Sequence, residues 1–239
     1  MAVIFCQCKN AEVISAEVKA GIADWFKANQ VTVVCVNDLC GLAAKKDERL
    51  RQWTADENLI VIACFERAVR WLFALGGAEM KDTARIFNQR VQSAQEIIER
   101  LESLHLPTGQ MTSISSAEQW MPWFPVIDYS RCTNCRQCLN FCLFGVYAGG
   151  ADGKIEVINP ANCKTGCPAC ARVCPSAAII FAKYAESPFN GDRVDETKLT
   201  QLRNSGDFKK WVADNLQKRL RMRTQLQQSS GAGKGDSNE

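Results

Sequence analysis

Cys132-Thr133-Asn134-Cys135-Arg136-Gln137-Cys138-Leu139-Asn140-Phe141-Cys142 opens the stretch that decides the reading. Cys163-Lys164-Thr165-Gly166-Cys167-Pro168-Ala169-Cys170-Ala171-Arg172-Val173-Cys174-Pro175 closes it, and the two runs place eight cysteines within 43 residues. A Cys-x2-Cys-x2-Cys segment wraps a short turn around one centre and presents three soft thiolates to it. A zinc ribbon needs two Cys-x2-Cys pairs and would leave half of these thiols idle. Neither pair is followed by His, which excludes covalent haem. Disulfides are not expected in a chain read as cytosolic.

This spacing resembles that of the two-cluster bacterial ferredoxins. In that family the last cysteine of each run ligates the other cluster. The resemblance therefore implies two 4Fe–4S clusters: Cys132, Cys135, Cys138 and Cys174 for the first, and Cys163, Cys167, Cys170 and Cys142 for the second. Two details depart from the family. The second run opens with three spacers, and Gly166 lies in the enlarged loop, where its freedom at positive φ absorbs the extra residue. Leu143 follows Cys142 where proline is usual, and residues 143–147 read as the start of a strand.

Composition agrees with a globular chain. Of 239 residues 46% are hydrophobic, and the formal charge of +3 gives no reason to expect nucleic-acid binding. Met1–Cys6 has no charged segment ahead of an apolar run, so no signal peptide is expected. No apolar stretch approaches the ~18 residues needed for a membrane span. The expected location is the cytoplasm.

Upstream of the clusters, apolar runs alternate with helical periodicity. Strands are expected at Val3–Cys6, Val31–Val36, Leu59–Ala63 and Ala84–Phe87. Helices are expected over 11–28, 42–53, 66–75 and 92–104. Alternation of this kind predicts an α/β domain over 1–106 with a doubly wound parallel sheet. Parallel strands share one carboxyl edge, where open α/β sheets bind ligands. Neighbouring strands lie about 4.8 Å apart, so Cys6 and Cys8 after the first strand, Cys40 after the second and Cys64 after the third are brought within reach of one another. Cys35 falls inside the second strand and reads as a packed core thiol.

Phe5-Cys6-Gln7-Cys8, Asp38-Leu39-Cys40 and Val61-Ile62-Ala63-Cys64-Phe65-Glu66-Arg67, with Trp71-Leu72-Phe73, resemble the N-terminal domain of the HdrA-type subunits of heterodisulfide reductase over roughly residues 1–90. Phe65-Glu66 stands where that family usually has Ser-Pro. The resemblance implies a third 4Fe–4S cluster held by Cys6, Cys8, Cys40 and Cys64. The alternatives are a fold whose four thiols hold no metal, and a regulatory Cys-x-Cys disulfide. Full-length members of that family carry a flavin domain, whereas this sequence contains no G-x-G-x-x-G, so a built-in flavin or nicotinamide site and electron bifurcation are not expected.

The remaining segments complete the expected organisation. Residues 107–119 hold Gly, Ser and Thr and read as a linker. Residues 120–186 are expected to form an α+β ferredoxin-like domain in which Trp120–Pro125 covers the apolar side, with a partner contact as the alternative, and Gly145–Ala148 pairs with Lys154–Ile158. Arg131, Arg136, Lys164 and Arg172 surround the cysteines and either raise the cluster potentials or are ordinary surface charges. Residues 187–228 are a C-terminal helical extension: a polar connection over Ser187–Glu196, then a helix over Asp207–Gln227. That helix has a basic face suited to docking on its own domain or on an acidic partner. Residues 229–239 are low-complexity and read as a disordered tail, and Gly231–Gly235 lacks the strand and helix of a phosphate loop.

No acid–base or nucleophile constellation is visible, and the single His105 reads as a surface residue. The expected function is an iron–sulfur electron-transfer protein or subunit of an oxidoreductase complex. It would relay single electrons between partner redox proteins, without catalytic residues of its own. The alternatives are a thiol/disulfide reductase subunit with chemistry at the N-terminal cluster, and a redox-sensing regulator.

Overall fold

The computed structural model describes residues 1–115 and 121–206, together with positions 210, 213, 214, 217 and 221. Strands β1 (Val3–Cys6), β2 (Val33–Val36), β3 (Ile60–Ala63), β4 (Arg85–Asn88) and β5 (Met111–Ile114) form a five-stranded sheet in the order β4-β3-β1-β2-β5. Every pairing in it is parallel. Helices α1 (Ala16–Ala28), α2 (Leu39–Ala44), α3 (Arg49–Thr54), α4 (Glu66–Leu75) and α5 (Ala94–Glu102) lie between the strands.

The pleat explains why the central strands are apolar throughout. Successive side chains point to opposite faces. Val3, Phe5, Ile60 and Ile62 join Ile22 and Phe26 of α1 and Ile97 and Leu101 of α5 in one apolar cluster. Ile4, Val61 and Ala63 join Leu39 and Leu42 of α2 and Val69, Leu72 and Phe73 of α4 in another. A strand covered on both faces carries no polar alternation. Each fully buried side chain of this size contributes about 1.5–3 kcal/mol. The helix starts are locally encoded: Ser15 caps α1 through Val18 N, and Ser93 with Glu96 forms a capping box at α5.

Two expectations are corrected here. The stretch 107–119, read as a linker, carries β5, which pairs with β2 from Val33↔Met111 to Val36↔Ile114. Its Met-Thr-Ser-Ile sequence hid it, because an edge strand needs only one covered neighbour, and Thr112 and Ser113 are exposed. The single helix expected over 42–53 is instead two short helices, and the first begins early enough to include Cys40.

The second half is built from short elements. Strand β6 (Val126–Ile127) pairs antiparallel with β9 (Ile179–Ile180), and β7 (Tyr147–Gly149) pairs with β8 (Ile155–Val157) as a hairpin. Helices α6 (Gln137–Phe141) and α7 (Ala169–Val173) each carry one cysteine of a run, Cys138 and Cys170. The segment 187–196 is not a bare polar connection, because Phe189 enters the core of this half. It leads into α8 (Glu196–Asn204), whose Leu199 is also buried there. Most of the helix expected over 207–227, and the whole 229–239 tail, lie outside the described residues. Among the described residues no helix is long and apolar enough to cross a membrane.

The halves are joined by buried polar contacts. Arg67 of α4 pairs with Asp128 at 2.6 Å, with side chains 15% and 3% exposed. The same guanidinium donates to the carbonyls of Ala177, Pro188 and Asp192. Gly191 has φ +95, and a Cβ there would lie 2.4 Å from Ala68 Cβ of α4. Arg67→Met strips Asp128 of its counter-ion and is expected to lower unfolding stability by about 3–5 kcal/mol. Urea unfolding followed by tryptophan fluorescence checks this, and an unchanged midpoint would contradict it. Gly191→Val is expected to cost about 1–3 kcal/mol through backbone strain and overpacking, read in the same assay.

Candidate metal centres

The N-terminal thiols are gathered by the sheet. Strand β1 ends at Cys6, and the chain then turns at Cys8, whose φ of +44 lies in the left-handed region. Gln7 N and Lys9 N donate to Val36 O and Asn37 O, which fixes the turn against the end of β2. Gln89 Nε2 donates to Cys6 O and Ile62 O, each at 3.0 Å, and ties β1 to β3 at the same edge. Asp38 caps α2 by accepting from Cys40 N at 3.0 Å and Gly41 N at 3.4 Å, which places Cys40 in the first turn. Leu39 N donates to Cys6 Sγ at 3.4 Å. Cys64 follows β3 directly.

All four are free thiols, with exposures of 5%, 7%, 7% and 9% for Cys6, Cys8, Cys40 and Cys64. Burial, then the neighbouring Cys8, pushes Cys6 well above the usual thiol range. Burial and Asp38 bring Cys8 up to about 11, and burial and Cys8 bring Cys64 up to about 12. Burial also raises Cys40, with Lys183 opposing it. A group of this kind holds its protons until a cation replaces them. Cys35 sits on the other face of the sheet, among Phe5, Ile22 and Phe26, and takes no part.

Two residues that sequence reasoning missed complete the surroundings. Lys183, just beyond β9, reaches across and forms a buried ion pair with Asp38. Burial lowers its pKa, but Cys40 and Asp38 more than offset that and raise it. Arg90 donates to Ala182 O at 3.0 Å and Tyr184 O at 2.8 Å, and its guanidinium lies 5.0 Å from the centre of the Phe65 ring. An Asp two residues before Cys40 carries a capping signal. Nothing local marks Lys183 or Arg90.

In the second half, Cys138 lies in α6 and Cys170 in α7, with other cysteines of the two runs nearby. Cys138 of α6 is raised to about 12 by burial, and its thiol neighbours are Cys174, Cys132 and Cys135. Cys163 is also raised to about 12 by burial, with Cys167 and Cys142 beside it. Cys142, Cys163, Cys167 and Cys170 line one small cavity with Phe144 and Tyr147. The loops need unusual backbone: Asn134 and Arg136 are left-handed at φ 54 and 60, and Gly166 in the enlarged loop is at φ 74. Cys135 is exposed, whereas Cys138, Cys170 and Cys174 are buried. The Tyr147 hydroxyl is buried beside Cys170, and burial and Cys170 raise its pKa.

Of the flanking cations, Arg131 and Arg172 are engaged. Arg131 donates to Ser176 O and Glu196, Arg172 to Tyr184 and Glu186, and Arg203 to Cys174 O at 2.7 Å. His105 is exposed.

Among the described residues, no three Cys, His, Asp or Glu converge closely enough to hold a single metal ion. A cubane cluster asks for something different, since its four irons occupy separate corners and accept thiolates spaced more widely. Two groups of free thiols in the second half and one in the first fit that donor chemistry. The buried Tyr147 hydroxyl beside Cys170 fits a sulfur-rich acceptor, and buried Lys183 and half-buried Arg90 fit an anionic group at the N-terminal site.

One open cleft between the halves is lined by Phe65, Arg70, Trp71, Tyr129, Arg131 and Lys154 among others, and by no cysteine. Cys163 packs against both the core that contains Cys6, Cys8, Cys40 and Cys64 and the core that contains Cys138, Cys170 and Cys174.

Residues 124–175 match the 4Fe–4S dicluster domain family. An uncharacterized ferredoxin of Methanocaldococcus jannaschii is 47% identical over 60 residues, a match that covers 25% of this chain and 40% of that protein. No solved structure matches the chain. Over residues 124–175 the chain therefore carries a ferredoxin-type 4Fe–4S dicluster domain.

Proposed function

We propose that this protein relays single electrons between partner redox proteins, as a carrier or as one component of an oxidoreductase complex. Its ferredoxin half holds two clusters, one on Cys132, Cys135, Cys138 and Cys174, the other on Cys163, Cys167, Cys170 and Cys142. A third is held by Cys6, Cys8, Cys40 and Cys64. When bound, such clusters take up and release one electron at a time. The protein supplies the ligands, the dry surroundings and the neighbouring charges that set potential.

The observation that carries this reading is the position of Cys163. It is a ligand of the second run, yet it packs against the core containing the four N-terminal cysteines. Two sites destined for separate tasks have no need of a shared apolar wall. The doubly wound reading of the N-terminal half is supported by the strand order β4-β3-β1-β2-β5 and by apolar clusters on both faces. The resemblance of its cysteine motifs to those of the HdrA-type heterodisulfide reductase proteins supports the third cluster.

A thiol/disulfide reductase requires a substrate at the N-terminal sulfurs. All four are under a tenth exposed, and the open cleft between the halves does not reach them. Burial favours relay over that chemistry, and it likewise disfavours a metal-free sensor whose thiols must meet an oxidant.

Cysteine substitutions test the assignment one site at a time. Cys64→Ser is expected to remove about four irons per chain while leaving the ferredoxin paramagnetic-resonance signals in place. Cys174→Ser is expected to perturb the first ferredoxin cluster and leave the N-terminal one. Iron analysis with paramagnetic resonance on anaerobically purified protein reads both, and full iron retention in Cys64→Ser would contradict the third cluster.

A further inference from the structure

The N-terminal thiols lie beside a polar network that spans both halves of the chain. Lys183 and Asp38 are 145 residues apart, and their side chains are 3% and 1% exposed. Lysine is almost never buried so completely unless its charge is paired. Its partner is the carboxylate that caps α2 and so places Cys40. Arg90, from the N-terminal half, donates to the carbonyls of Ala182 and Tyr184, on either side of Lys183. The segment that carries the ammonium is thus held by the half that needs it.

We infer that Lys183 is a positioning residue for the N-terminal cluster: contributed by the ferredoxin half, it neutralises Asp38 beside the four thiolates and thereby sets that cluster's reduction potential. This rests on the third-cluster reading above.

The charges explain why. A sulfide cluster bound by four thiolates is anionic and gains one more negative charge on reduction. Asp38 adds a further buried negative charge at the same edge. Without a cation this carboxylate opposes both cluster binding and reduction, in surroundings too dry to screen it. Lys183 cancels it without removing the cap that orients Cys40. Arg90 then contributes a net positive charge on the side of Cys64, where its field partly counters burial. The same arrangement makes the N-terminal site incomplete without the ferredoxin half, so its potential depends on the two halves remaining docked.

The experiment uses the full chain, purified anaerobically, as wild type, Lys183→Met, Lys183→Arg and the double variant Asp38→Asn/Lys183→Met. Iron per chain is measured with the midpoint of each cluster by redox titration under paramagnetic resonance. Asn retains the capping function, so the double variant removes both charges and keeps the helix start. Lys183→Met is expected to make reduction of the N-terminal cluster at least tenfold less favourable, about 59 mV for one electron, without moving the ferredoxin midpoints. Lys183→Arg and the double variant are expected to recover most of that loss.

If Lys183→Met loses the cluster outright, recovery of its iron in the double variant supports the charge-balance role. Failure of the double variant to recover either iron or potential overturns it in favour of simple packing. An unchanged N-terminal midpoint in Lys183→Met, with about twelve irons in the wild type, overturns the role of Lys183 alone. About eight irons in the wild type removes the third cluster itself, and this inference with it.

Discussion

Parallel pairing of β1, β2 and β3 is the constraint from which the N-terminal site follows. Register Ile4↔Val34 and Ile4↔Val61 aligns the three strands, so their chains leave the sheet on one edge. Cys6, Cys40 and Cys64 have no choice but to emerge together. The left-handed turn at Cys8 adds a fourth thiol at that edge. Antiparallel pairing of the same segments would have divided the sulfurs between opposite ends of the sheet.

That edge would be open to water if the second half did not close it. Phe124, Val126, Ile180 and Ala182 from the ferredoxin half belong to the same apolar cluster as the N-terminal cysteines. Arg67, Arg90 and Lys183 cross the boundary with hydrogen-bonded charges. Buried charges add little stability compared with apolar packing, but they punish misalignment severely. The interface is therefore suited to holding the N-terminal cysteines and the ferredoxin domain in fixed relation, which an apolar contact alone would do less strictly.

Much of this was legible in the sequence because ligand spacing is local. The runs at 132–142 and 163–174 announce their chemistry without reference to the fold, and continuous apolar segments such as Ile60–Ala63 announce buried parallel strands. Strand β5 was hidden, since an edge strand with Thr112 and Ser113 on its surface has the composition of a linker. The placement of Cys40 within α2 was half visible, through the capping residue Asp38. Lys183, Arg90 and Tyr147 were not readable at all. Their roles depend on partners far away in sequence, and a lysine after an apolar strand looks like any surface lysine until the chain folds.

The central claim is that the sulfurs of both halves serve one redox unit. Iron and acid-labile sulfide content of the anaerobically purified full chain measures it most directly. The account predicts about twelve irons and twelve sulfides per chain, as three four-iron clusters require. A value near eight, with the N-terminal thiols still titratable, would contradict it and leave a two-cluster ferredoxin domain beside a metal-free companion.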